Sequence, residues 1–131
     1  MLNLKKSKSM IESKYFAEAE FKRCSPACSL QDMNRAFMWM LDAIREEAGI
    51  PLVLTCAYRT KEHDLAKGRS GNSAHTKGLA VDIRCNSSAT RMKIVSAALQ
   101  VGIDRIGIGK NFVHLDADHT LPRNVIWDYY E

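Results

Sequence analysis

The sequence predicts an α+β domain in which a small antiparallel sheet packs against a few helices. Two amphipathic helical runs and several short runs rich in β-forming residues are mixed along the chain, with short connections between them. No repeat, low-complexity tract or shift in composition divides the 131 residues, which is the length of one compact domain. We therefore predict a single domain over residues 11–131, preceded by a flexible basic tail over residues 1–10.

The first long helix is predicted to begin at Ser29 and to stop at Gly49. Ser29 has the side chain of an N-cap, and Asp32 is favourable in a first helical turn. Gly49 and the following Pro51 end the pattern. The apolar residues between these limits recur at helical spacing: Leu30, Met33, Phe37, Met40, Leu41, Ile44 and Ala48.

The rest of the chain supplies four strands and two more helices. Strands are predicted where β-branched and aromatic residues cluster, and helices where Ser or Thr precedes a periodic run that ends at Gly. The order is a strand over residues 52–58, one or two helical turns from Thr60 to Gly68, a turn-rich loop over 68–73, a strand over 79–85, a helix from Ser87 to Gly102, and strands over 103–108 and 112–116.

Composition limits the possible partners. The formal charge of +4 and the pI near 8.9 suit an anionic polymer such as nucleic acid or bacterial cell wall. No basic stripe is interleaved with aromatic residues, which argues against nucleic acid. No run has the length of a membrane span or the form of an N-terminal signal. We expect a monomer without a membrane partner, made in the cytoplasm or exported without an N-terminal signal.

Four cysteines raise the question of disulfides or metal. Cys24 and Cys28 are the only close pair, and they form either a small disulfide or, as we favour, two thiols in a loop. Cys56 and Cys85 lie in apolar strand-like runs, where a free cysteine behaves as a small buried hydrophobe.

Two short segments carry a possible metal site. His75 precedes a strand in which Ala80 and Asp82 share one face, and His114 and Asp116 share one face of the last predicted strand. Two imidazoles and a carboxylate suit a zinc ion that keeps an open position for water. Such an ion acidifies its water and polarises a carbonyl, which indicates hydrolysis. Asp116, beside His114, is then a proton carrier, a partner of the histidine or a surface group.

The residues around these segments resemble a known family. Ser73-Ala-His75-Thr-Lys-Gly78-Leu-Ala80-Val-Asp82 is similar to the Ser-x-His-x-x-Gly-x-Ala-x-Asp pattern of the zinc D-alanyl-D-alanine carboxypeptidases and L-alanyl-D-glutamate endopeptidases, whose fold is shared with the hedgehog signalling domain. Tyr58-Arg59 upstream and Phe112-Val-His114-Leu-Asp116 downstream resemble the Phe-Val-His-x-Asp branch of that family.

The resemblance implies a function and a set of roles. His75, Asp82 and His114 would bind Zn²⁺, and Arg59 would hold a substrate carboxylate or the developing oxyanion. Ser73 would donate to the substrate. The implied activity is hydrolysis of peptide bonds in the stem peptides of bacterial peptidoglycan, by a phage lysin or a wall-remodelling enzyme whose site of action is the cell wall.

One position departs from the family pattern. Members carry an acidic general base three residues before the last histidine ligand, where this chain has Asn111. We predict that Asp116 takes this catalytic role, with His119 as the second candidate. The departure also supports an alternative, a zinc-containing module that binds the cell wall without cutting it. A third hypothesis, which we rank last, is a cysteine hydrolase that uses Cys56 and His75.

Overall fold

A five-stranded sheet organises the computed structural model, which describes residues 10–130. The predicted tail over residues 1–10 therefore lies outside the described residues, apart from Met10. The elements are helices α1 (Glu18–Lys22), α2 (Arg35–Ala48), α3 (Lys61–Ala66) and α4 (Ser88–Val101), 3₁₀ turns at Leu30–Asp32 and Ala74–Lys77, and strands β1 (Leu54–Cys56), β2 (Ala80–Arg84), β3 (Arg105–Ile108), β4 (Phe112–Asp116) and β5 (Val125–Asp128).

The strands lie in the order β1-β2-β4-β3-β5. The first four pair antiparallel, as predicted, whereas β5 pairs parallel with β3 and makes the sheet mixed. The sequence did not predict β5, because most of its residues are exposed and it shows no alternation of buried positions. The α+β class is confirmed.

The core lies between the sheet and the two long helices. Alternate residues of β2 and β4 face this side and are fully buried together with Phe37, Leu41 and Ile94 from α2 and α4. The residues between them, at positions 80, 82, 84, 112, 114 and 116, face the opposite side of the sheet. One face of the sheet therefore builds the core, and the other is left for polar groups.

Helix α2 begins six residues later than predicted. Ser29 does cap a helical turn, and its Oγ accepts from the Gln31 amide at 3.0 Å, but this turn is a 3₁₀ turn that ends at Asp32. Met33 is extended, and Asn34 starts the α-helix by accepting from the Phe37 amide at 2.9 Å. Asn34 is therefore the N-cap of the α-helix, because its side-chain oxygen accepts from an N–H of the first turn of that helix.

The break before α2 has a tertiary partner. The Asn34 amide donates to the Gly78 carbonyl at 3.0 Å, which ties the break to the 3₁₀ turn at Ala74–Lys77. Gly78 has a φ of 69°, and a Cβ there would lie 2.6 Å from the Asp32 carbonyl oxygen. Only glycine accommodates this approach. The break and Gly78 together fix the turn that carries His75.

Candidate metal centre

His75 is oriented by the backbone of the neighbouring strand. Its Nδ1 lies 2.6 Å from the carbonyl oxygen of Ala57, which only accepts, so Nδ1 carries the proton and donates. The other ring nitrogen, Nε2, faces Asp82 Oδ1 at 3.4 Å. A histidine held through one nitrogen in this way presents a defined lone pair on the other, as metal-binding histidines do.

His114 reaches the same carboxylate from the adjacent strand. Asp82 and His114 are directly opposite each other in the β2–β4 register, and His114 Nδ1 lies 2.9 Å from Asp82 Oδ1. His114 Nε2 points the other way and lies 2.7 Å from Asp116 Oδ2. The imidazole rings of His75 and His114 are 5.1 Å apart between centroids. His75 Nε2 and His114 Nδ1 thus both face Asp82 Oδ1.

The protonation of this cluster reflects its charges. Burial opposes ionisation of Asp82, but hydrogen bonds from His114 and His75 outweigh it and hold the pKa of Asp82 far below its usual value. Burial likewise disfavours the charged form of His75, yet hydrogen bonds to Asp82 and Cys56 raise the pKa of His75 to about 10. A proton on the His75 imidazole therefore balances the charge of Asp82 in the metal-free protein, where a cation would do the same.

Cys56 lies next to the cluster. From the sequence we predicted a small buried hydrophobe at this position and ranked its role as a nucleophile last. Among residues 10–130, Cys56, His75 and Asp82 form a group whose potential ligand atoms all lie within 4.8 Å of one another. Cys56 faces Asp82 in the β1–β2 register, and its Sγ lies 3.7 Å from His75 Nδ1. That nitrogen already donates to Ala57, so the thiol approaches the edge of His75 that faces away from Asp82. Its strand position opposite β2 became visible only with the register.

Arg59 lies beside the cluster in a buried ion pair. Its Nε donates to Asp64 Oδ1 at 2.6 Å, and Asp64 also accepts from the Gly71 amide and from Ser73 Oγ, at 2.8 and 2.7 Å. Asp64 is fully buried, and no pattern in the sequence predicted its role. Burial opposes its ionisation, but the hydrogen bonds from Arg59 and Ser73 lower the pKa of Asp64. Arg59 and Ser73 both line the cleft over the cluster.

Asp116 is held from three sides. Oδ2 contacts His114, while Oδ1 accepts from Arg105 Nε at 2.7 Å and from the Asp118 amide at 3.1 Å. Burial raises the cost of its charge, but hydrogen bonds from His114 and Arg105 lower the pKa of Asp116. Only 1% of the residue is exposed. Both of its oxygens are thus engaged within the protein.

Asn111 and His119 lie apart from the cluster. His119 is exposed in the turn after β4, and Asn111 is exposed just before β4. Asn111 does not line the cleft over the cluster. Tyr129, in contrast, lines that cleft, and its ring packs 5.2 Å from that of Phe112.

The sequence matches the model of a known family. A model of the peptidase M15 family matches residues 12–116, well over half of the chain. The chain belongs to the peptidase M15 family. M15 peptidases are metallopeptidases, and the group of Cys56, His75 and Asp82 is a possible metal site in this one. No curated protein matches the sequence.

Two general predictions can now be compared with this M15 peptidase. All four cysteines are free thiols, and all four are buried, so the structure has Cys24 and Cys28 as two thiols in a loop. Among residues 10–130, no helix is long and apolar enough to cross a membrane.

Proposed function

We propose that this M15 peptidase is a zinc enzyme that hydrolyses peptide bonds in the stem peptides of bacterial peptidoglycan. The observation that carries the proposal is the approach of His75 Nε2 and His114 Nδ1 to Asp82 Oδ1, with all three residues lining one cleft. Two imidazoles and one carboxylate are the donor set of catalytic zinc sites that keep a position open. Either a phage lysin or a wall-remodelling enzyme acting at the cell wall fits this activity.

We assign the zinc ligands to His75, Asp82 and His114 rather than to the group that includes Cys56. Cys56 Sγ approaches the ring edge of His75 whose nitrogen is occupied by the Ala57 carbonyl. Cys56 also does not line the cleft, so its thiol has no access to a substrate from there. The same point argues against a cysteine nucleophile. His114, in contrast, lines the cleft and offers Nδ1 directly to Asp82.

Zinc bound here would supply an acidified water and a Lewis acid for the peptide carbonyl. The residues of the protein would supply fixed charges and hydrogen-bonding groups around the substrate. Arg59 lines the cleft and is fixed by Asp64 through Nε and by Cys56 Sγ, which lies 3.5 Å from Nη1. Its guanidinium suits a substrate carboxylate or a developing oxyanion. Ser73 lines the same wall, but its hydroxyl already donates to Asp64, so its contribution to substrate binding comes through its lone pairs.

Asp116 has two possible roles, and its contacts favour one of them. Its Oδ2 accepts from His114 Nε2, which fixes the ring so that Nδ1 faces Asp82. A carboxylate behind a metal-binding histidine raises the basicity of that ligand and sets its orientation. We propose this positioning role. That Asp116 also takes the proton of the attacking water stays a prediction, as does the weaker candidacy of His119.

The test is a digestion of purified peptidoglycan by zinc-loaded protein, with fragments identified by mass. We expect cleavage of stem peptides that a chelator abolishes and added zinc restores. His114→Ala should lose both stoichiometric zinc and activity, whereas His119→Ala, a histidine exposed in a turn, should keep its zinc. Intact stem peptides after incubation with protein that contains one zinc per chain would refute the proposed activity.

A second candidate function is a zinc-containing module that binds the cell wall without cleavage. The observation in its favour is the lining of the cleft, whose carboxylates among residues 10–130 are Asp82 and Asp116. The first is a proposed ligand, and the second is held by His114, Arg105 and the Asp118 amide. Sedimentation of the zinc-loaded protein with intact sacculi, without release of fragments, would favour the module.

A further inference from the structure

A second cleft continues from the metal centre beyond the end of the first. The cleft over the cluster has a volume of about 160 Å³, below the roughly 300–1,000 Å³ of pockets that enclose a small ligand. The adjoining cleft has about 500 Å³ and is lined by Thr55, Asp82, Arg84, Asn86, Asn111 and Phe112. Asp82 and Phe112 line both clefts, so a peptide that reaches the metal centre has room to continue into the second one.

The strand register places this second cleft at one end of a polar row. Asp116, His114 and Phe112 follow one another along β4, opposite Ala80, Asp82 and Arg84 of β2. Residues two apart in a strand are roughly 6.5–7 Å apart, so the row from Asp116 to Phe112 spans about 13 Å. The proposed ligands stand in its middle, Arg105 and Leu121 lie at the Asp116 end, and Arg84 lies at the Phe112 end.

The charge in the second cleft is unbalanced. Arg84 is exposed, and among residues 10–130 no carboxylate pairs with it. Asp82, the one acidic residue in the lining, is engaged by both histidines. Asn86 and Asn111 are exposed and add amide donors and acceptors, which suit a peptide backbone. The cleft therefore fits a peptide segment that carries a carboxylate.

We propose that the cleft lined by Thr55, Arg84, Asn86 and Asn111 is a second peptide subsite, in which Arg84 binds a carboxylate of the substrate. This inference rests on the proposed peptidase function and deepens it. A substrate bound at both ends of the row extends on both sides of the metal centre. The chain is accordingly an endopeptidase that cuts within a peptide, and Asn111 serves in substrate binding.

The test uses muropeptides released from bacterial sacculi, either native or with their carboxyl groups amidated, each carrying a fluorescent label. Binding is measured by polarisation to the full chain stripped of metal, so that the probe is not consumed. The variants are Arg84→Ala, Arg84→Lys and, as matched control, Lys93→Ala on the exposed side of α4. Michaelis constants of the zinc-loaded proteins and masses of the products from cross-linked muropeptides complete the experiment.

We expect Arg84→Ala to weaken binding of the native probe about fivefold, the upper range for one exposed ion pair, and to leave the amidated probe unaffected. KM should rise by the same factor with kcat unchanged. Arg84→Lys should retain most of the affinity, and Lys93→Ala all of it. Products should come from internal cleavage.

Equal affinity of Arg84→Ala and wild type for the native probe would overturn the subsite, and so would release of single terminal residues only. If zinc-loaded wild type cuts nothing, the proposed activity fails while the polarisation measurement still decides the subsite. If wild type binds neither probe, the subsite fails with it.

Discussion

Two buried arginine–aspartate pairs flank the proposed metal centre, and the residue that faces the centre is the arginine in one pair and the aspartate in the other. Arg59 Nε contacts Asp64 at 2.6 Å, and Arg105 Nε contacts Asp116 at 2.7 Å. In the first pair the aspartate is the support and the arginine faces the cleft. In the second pair the arginine is the support, and the aspartate contacts a proposed ligand. The element that carries each residue, rather than the pair itself, decides which charge the site receives.

The supports of the two pairs also differ. Asp64 accepts from the arginine, from the Gly71 amide and from Ser73, so it gathers the loop over residues 68–73 around itself. Arg105 donates to the Pro122 carbonyl at 2.6 Å, and its guanidinium lies 5.0 Å from the ring centre of Trp127 on β5. The first support orders a loop close in sequence, and the second ties the sheet to the end of the chain.

The largest effect is expected from Asp64→Ala. The change leaves the Arg59 guanidinium buried without its partner and removes the acceptor of a backbone amide. Loss of one member of a buried pair typically lowers the free energy of unfolding by about 3–5 kcal/mol. Denaturant unfolding of the zinc-free protein measures it. Glu46→Gln, which breaks the exposed pair with Lys14, is the control and should cost less than about 1 kcal/mol. A loss no larger than that of the control would show that Asp64 is not a structural support.

A smaller effect, specific to the metal, is expected from Asp116→Asn. If Asp116 orients His114, zinc affinity should fall about 10- to 100-fold, the usual cost of losing a carboxylate behind a histidine ligand. Competition with a chelating dye measures this affinity. The matched variant is Asp64→Asn, which alters the other pair and should leave zinc affinity close to that of wild type. Equal losses in both variants would mean that the two pairs do not differ in function. Unchanged zinc affinity with lost hydrolysis in Asp116→Asn would instead favour the proton-carrying role.

The last prediction concerns pH and the cluster between the pairs. In the metal-free fold the pKa of His75 is about 10, against 6.5 for an unperturbed histidine. The folded state therefore holds a proton that the unfolded state releases, and this stabilisation is complete below pH 6.5 and lost as the pH rises through about 10. The melting temperature of zinc-free protein should fall over that interval. His75→Gln should flatten the profile, and zinc-loaded protein should not show this decline, because a bound ligand histidine is neutral. A zinc-free wild type whose melting temperature stays constant from pH 6.5 to 10 would contradict the role given to His75.

Parts of the site were predictable because their signals are local. The alternation around Asp82 and around His114 placed both side chains on the polar face of the sheet, since successive strand residues point to opposite sides. Ser87 and Gly102 marked the ends of α4 by cap chemistry. The predicted start of α2 was wrong because Ser29 caps only a 3₁₀ turn, whereas Asn34, five residues later, caps the α-helix. Asn34 is also the residue that contacts Gly78 in the folded chain.

What the sequence determined by itself is the α+β class, the two strands that carry Asp82 and His114, and the set of residues with metal-binding chemistry. Each depends on spacing or side-chain type within a short window. Only the tertiary structure decided that Cys56 lies next to His75, that Asp64 and Arg105 support the two flanking charges, and that β5 pairs with β3 at the edge of the sheet. Asp64 pairs with Arg59 only five residues away, through the turn that starts α3. The other contacts join residues whose distance depends on strand register, and register is set by packing of the whole core rather than by any one segment.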